Sequence, residues 1–368
     1  MPTVRDLLDA IERIAPVRFA LPDDRVGLQI GDAGQNVKAG VVTLDWSDDL
    51  IGFAASKRAQ AIVAHHPIIW EPISRVTSED LRGRAIRRLV RELDAAYIAC
   101  HTNWDAAPGG VSDTLAGLLG LKDARPFGVG AKCGYLKLVA FCPEESVQKL
   151  VDALSAAGAG VIGLYERCAY FSPGTGTFKG GEGSNPSVGA AGRIEEVPEL
   201  RLEMRVPKDR AAAAEAALRR AHPYEEPTYD LYPLEVSAEM PLGRIGALPD
   251  PLSLAELATM VDSSLSTRSL AWGDPSARVS KVAVAGGAGD EFWREARRAG
   301  ADAFVTGEVR QHAALEASQS GMGIVSAGHF ATEHPGCAAL RDRLAAELPG
   351  IEWHLFEPKP GRAGRPLA

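Results

Sequence analysis

The sequence predicts an α/β protein: two similar α/β halves forming one discontinuous domain around a parallel-type sheet, interrupted by an inserted ferredoxin-like (βαββαβ) α+β domain. Three observations predict it. Short apolar runs alternate with helical spacing in the first third, the same alternation returns in the last third, and the middle follows a different order. The boundaries read as 1–130 and 240–368 for the outer domain and 131–239 for the insert.

Residues 1–16 (MPTVRDLLDAIERIAP) have amphipathic helical spacing, and Asp6, Asp9 and Glu12 break the uncharged core that a signal peptide needs. Residues 39–45 (AGVVTLD), 61–64 (AIVA) and 96–100 (AYIAC) read as buried strands. Between them lie two helices, with Ser47 and Ser78 as N-caps. The last third runs strand 281–286, a GGAG turn, helix 290–300, strand 302–307, helix 309–319, strand 323–328, helix 331–348 and strand 351–356. In the middle, strands 135–143, 166–173, 193–207 and 228–235 enclose helices 145–158 and 208–221, with residues 174–192 as a glycine-rich loop.

Hydrophobic residues make up 46% and charged residues 24%, values of a globular chain that exclude disorder, collagen and coiled coil. With 40 basic and 48 acidic residues, the formal charge of -8 argues against nonspecific binding to nucleic acid or to an anionic membrane. No window approaches the roughly 18 apolar residues of a membrane span, so a soluble, cytoplasmic protein is expected. The five cysteines (Cys100, Cys133, Cys142, Cys168, Cys337) are scattered without a CxxC pair, which argues against a disulfide framework and a thiolate zinc knuckle. Walker A, nucleophile-elbow and complete GxGxxG motifs are absent, so P-loop, serine-hydrolase and dehydrogenase chemistry have no support.

Five of the eight histidines fall just beyond a predicted strand or in the helix after it: His65, His66, His101, His312 and His329. Ligands of open α/β sheets bind outside the carboxyl ends of the strands, so these residues converge if the halves pack together. Pro67 ends the strand before it, letting the adjacent rings of His65 and His66 turn into the same crevice. Asp105 follows His101 by four residues in HTNWD, and GHFATE sets His329 and Glu333 at i and i+4 on one helical turn.

Three monodentate imidazoles (His65, His66, His329) and two carboxylates able to bridge (Asp105, Glu333) exceed the needs of one tetrahedral zinc and suit two divalent ions, whether zinc, manganese or iron. Four positive charges less two carboxylates leave about two for a hydroxide and an anionic, nucleotide or phosphate-containing ligand. His101 and His312 read as proton-transfer groups, with Glu308 orienting His312 from one turn away.

The motifs HHP, HTNWD, TGE with a histidine four residues on, and GHFATE, split by an insert, resemble the GTP cyclohydrolase 1 type 2 homolog family. In the insert, TFKG, SNPSVG and HPYEEP at 177–180, 184–189 and 222–227 resemble the PII/CutA-like module of its long bacterial members. The resemblance implies a dinuclear centre held by His65, His66, Asp105, His329 and Glu333, and a homohexamer. Trp104 and Glu308 depart from the family pattern without removing a ligand. The implied activity is that of a metal-dependent hydrolase in which metal-activated hydroxide attacks a nucleotide. The alternative is a metal-binding regulatory or scaffold protein whose insert senses a small ligand or partner.

Overall fold

The computed structural model describes residues 1–162, 165–361 and 365. Its strands, in chain order, are β1 (Gly27–Ile30), β2 (Ala39–Thr43), β3 (Ala61–Ala64), β4 (Ala96–Ala99), β5 (Lys122–Cys142), β6 (Ala169–Lys179), β7 (Ile194–Pro207), β8 (Tyr229–Ser253), β9 (Leu270–Trp272), β10 (Arg278–Ala285), β11 (Ala303–Thr306), β12 (Gly323–Ser326) and β13 (Glu352–Leu355). The chain divides into two compact units, Met1–Ala131 with Glu239–Ala368, and Lys132–Ala238.

The first unit holds two sheets rather than the single parallel sheet expected. One has the order β1-β4-β3-β2-β13, and in the other β8-β10-β11-β12-β9 are neighbours. β2, β3, β4 and β13 run parallel, as do β10, β11 and β12, because a helix covers each return of the chain. Antiparallel β1, β8 and β9 flank these cores; a glycine and a glutamine interrupt the apolar character of β1 (GLQI), and β9 (LAW) is only three residues long. β13, the last strand of the chain, pairs with β2 in the first of these sheets, with Leu355 opposite Val42. Its apolar run carries no information about which sheet receives it.

Ser47 caps the helix Asp48–Ser56 by accepting from Leu50 N, as expected. The helix Leu81–Arg88 is capped by Asp80, not Ser78: the Asp80 carboxylate accepts from Gly83 N, two residues nearer the first helical turn. At the N-terminus, Thr3 and Asp6 form a reciprocal capping box on Val4–Ile14.

In the second unit β6, β7, β5 and β8 are neighbours in that order, with helices Val147–Ala156 and Ala211–Ala221 between strands. Leu138, Ala140, Leu150, Leu154, Leu202, Met204 and Leu218 form its core. Residues 174–179, read as loop, continue β6 and pair with β7 from Gly174↔Glu199 to Lys179↔Ile194. Threonine and phenylalanine supply strand propensity there, while the interleaved glycines hide it from composition. Cys100, Cys142, Cys168 and Cys337 are free thiols, and the Cys133 side chain lies outside the described residues. Among the described residues, no helix is long and apolar enough to cross a membrane.

Candidate metal centre

Register aligns the strand ends that build the site. Thr43, Ala64 and Ala99 lie level across β2, β3 and β4, so Asp45, His65, His66 and His101 leave the same edge of the sheet. In the other sheet Ala285, Thr306 and Ser326 are level, which sets Gly287, Glu308 and His329 at a second edge. Trp104 ties the two edges together. It is fully buried, and its Nε1 donates to Gly336 O at 2.9 Å, joining the short helix Thr102–Ala106 to the helix His329–Glu347.

All four crevice imidazoles use Nδ1 for an orienting partner. His65 donates to Cys100 O (3.0 Å), His66 meets Asp45 (2.7 Å), His101 meets Asp24 (2.9 Å) and His329 meets Glu308 (3.0 Å). Each ring is left with Nε2 as its free nitrogen, the arrangement by which outer carboxylates and carbonyls fix a metal-ligating histidine.

Those Nε2 atoms gather around two carboxylates. His65 Nε2 lies 3.6 Å from Asp105 Oδ1 and 3.7 Å from Glu333 Oε2. His66 and His329 bring Nε2 to 3.1 and 2.9 Å of the same Glu333 oxygen and stand 3.3 Å from each other. Donor atoms about 2.1 Å from one ion at a tetrahedral angle lie about 3.4 Å apart, so these separations fit a shared cation. Three groupings qualify as ligand sets: His65, Asp105 and Glu333; His66, His329 and Glu333; and His65, His66 and His101.

Hydrogen bonding does not account for the cluster. His65 Nε2, Asp105 Oδ1 and Glu333 Oε2 are buried without a hydrogen-bond partner, a cost of about 1–3 kcal/mol each if nothing satisfies them. Electrostatics agree. Burial opposes charge on His66, yet Asp45 and Glu333 push its pKa up to about 10. Burial likewise opposes charge on His65, whose pKa the Asp105 and Glu333 carboxylates raise; at His329 the leading influence is Glu333 itself, also upward. Glu333 is held well below the usual carboxylate range by these imidazoles despite its burial, whereas burial raises Asp105. Negative charge here calls for a cation, and protons supply it when nothing else does.

Glycine makes room for the shared carboxylate. At Gly287, φ is +61°, and a Cβ there would collide with Glu333 Oε1. The Gly287 amide donates to Thr332 Oγ1 at 3.1 Å, fixing the turn against the helix that carries His329 and Glu333. The GGAG segment therefore serves the centre as well as the chain reversal.

Glu308, expected to orient His312, is instead the partner of His329, because its strand exit faces the first turn of the helix His329–Glu347. His312 is exposed at the second residue of the helix Gln311–Gln319 and belongs to none of the three groupings. Asp24 and Asp45 escaped the sequence reading. Asp45 stood in view at the exit of 39–45, whereas Asp24 lies in a loop without periodic signal. Asp24 accepts from His101, Thr102 N and the Thr102 hydroxyl; burial works against its ionisation, but these donors bring its pKa down to about 2.

Imidazoles and carboxylates gathered around buried His65 and Glu333 at the strand exits of two sheets define an α/β protein with a candidate metal centre. The chain belongs to the Duf34/NIF3 (NGG1p interacting factor 3) family, whose model matches residues 2–360. It is 38% identical over 329 residues to the GTP cyclohydrolase 1 type 2 homolog of Bacillus subtilis, covering 89% of this chain and 88% of that protein. The Mycobacterium tuberculosis protein of the same name is 35% identical over 354 residues, 94% and 93% of the two chains. Among solved structures, a Bacillus cereus protein related to NIF3 is similar with a TM-score of 0.84 and 33% identity, covering 98% of both chains.

Proposed function

We propose that the protein is a dinuclear metal-dependent hydrolase acting on a nucleotide or another phosphate-containing substrate. The observation that carries this reading is the pair of donor sets sharing Glu333: His65 with Asp105 on one side, His66 with His329 on the other. When bound, a divalent pair acts as a Lewis acid and makes water nucleophilic near neutral pH. With ions bound, His65, His66 and His329 would give up their protons and offer neutral Nε2 donors held in place by their Nδ1 partners, while Asp105 and Glu333 would supply the negative charge. His101 is the proton carrier: Asp24 holds its Nδ1, leaving Nε2 among the crevice donors. Glu308 acts on His329 as a positioning residue.

Resemblance to the family extends the proposal to a homohexamer and to a ferredoxin-like, PII/CutA-like reading of the inserted unit. The strand order β6-β7-β5-β8 with two intervening helices supports that reading of the insert. The test is turnover of GTP, and of p-nitrophenyl phosphate, by protein loaded with manganese or zinc. Turnover is expected in the unmodified chain and its loss in Asp105→Ala; equal rates in the two, or none in either, defeat the proposal.

A further inference from the structure

The second unit contains a cavity of about 510 Å³ lined by β6, β7 and the segment between them. Its volume and mixed walls are those of a small-molecule pocket. Phe141, Phe178 and Tyr224 supply aromatic surface, Arg201 supplies positive charge, and Glu199, with Glu225 and Glu226 at the rim, supplies negative charge. The segment closing one side is pinned: Asn185 N donates to Glu225 Oε1 and Ser187 Oγ to Pro223 O, both at 3.0 Å.

Glu199 and Arg201 alternate on β7 and so share one face of the strand, about 7 Å apart along it. They do not pair with each other. Arg201 gives its Nε to Glu203 at 2.9 Å, and Glu203 also holds Lys137 Nζ at 3.1 Å. Among the described residues its terminal guanidinium nitrogens have no ion-pair partner, and the Phe141 ring lies 5.7 Å from Arg201 Cζ, steadying it. Glu199 is in no ion pair among the described residues and stands against Tyr224. Glycine at 176 is what lets it lie there, since a Cβ would collide with Glu199 Oε2, while the Cβ position of Gly174 is open space. A strand that gives up two side chains at such a place is making room for close approach.

We propose that this cavity binds a zwitterionic amino acid with an aromatic or apolar side chain, its carboxylate on Arg201 and its ammonium on Glu199. From neighbouring positions on the same face of β7, Arg201 and Glu199 each offer a charge-assisted hydrogen bond of about 2.8 Å to the ligand end of opposite charge. A ligand with one charge leaves one of the two unanswered. The inference is independent of the metal centre.

Calorimetry on the full chain tests it with three probes: L-phenylalanine, 2-phenylethylamine and 3-phenylpropionate. Saturable binding of L-phenylalanine is expected, with each singly charged analogue at least about tenfold weaker. Glu199→Gln and Arg201→Gln should each weaken L-phenylalanine to a similar degree while leaving thermal unfolding unchanged. The analogue comparison uses the unmodified chain, so it decides the matter even if a variant misfolds. No saturable binding of L-phenylalanine, as when a second copy of the chain covers the cavity, overturns the proposal. Equal binding of the amine or of the acid overturns it too.

Discussion

The crevice of the first unit and the cavity of the second both gather charged side chains, yet they solve the problem of charge in opposite ways. In the crevice His65 and Glu333 are buried, the donors around them crowd to within 4 Å of one another, and three of their atoms lack any hydrogen bond. The cavity keeps Glu199 and Arg201 half-exposed and separate, between aromatic walls. Buried donors too close to tolerate one another without a cation point to ions; solvated charges held apart point to an organic ligand that spans them.

The sharpest way to break this contrast is to neutralise the oxygen that both donor sets share. Glu333→Gln leaves three imidazoles around an amide, and divalent-ion affinity is expected to fall by more than about 100-fold, read by titration with elemental analysis. Retained affinity would mean that Glu333 is not the ligand the two donor sets share. Asp45→Asn touches only the outer partner of His66, and a loss of about 10–100-fold is expected in the same measurement.

Protonation sharpens the comparison next. A cation must displace the proton that His66 retains up to about pH 10, so ion affinity should rise with pH, by about one decade per unit for each proton released. The metal-free protein behaves in the opposite sense. Because the folded-state pKa of His66 lies above its ordinary value, its stabilising contribution is complete below about pH 6.5 and disappears as the pH rises through 10. Thermal unfolding followed across that window should show a falling midpoint without metal and a flat one with it. Manganese affinity that ignores pH would contradict the assignment of His66 as a donor.

The smallest expected effect concerns the tie between the strand edges. Trp104→Phe removes the hydrogen bond to Gly336 and some buried volume, costing about 1–3 kcal/mol by denaturant titration while the ion count stays unchanged. Loss of ions along with that stability would make Trp104 part of the centre rather than its support.

Much of the centre was legible in the chain because strand exits announce themselves: an apolar run that stops at HHP, HTNWD or GHFATE points its next side chains toward the ligand edge. The cluster geometry bears on Glu308 and Asp45 differently. Glu308 was singled out for a histidine four residues on, but strand packing turned its carboxylate toward His329. Asp45 needed the parallel register of β2 and β3 before its proximity to His66 became apparent. Topology was harder still. The placement of β13 beside β2 depends on tertiary packing of the helix His329–Glu347, and nothing local in residues 351–356 encodes it.

The central claim is that two ions share Glu333, and counting them on a variant that disables one donor set tests it most directly. Elemental analysis of manganese-saturated protein should give two ions per chain for the unmodified sequence and one for Asp105→Asn, whose His66, His329 and Glu333 remain intact. An unmodified chain that retains no ion, or an Asp105→Asn chain that retains as many as the unmodified one, would contradict the account.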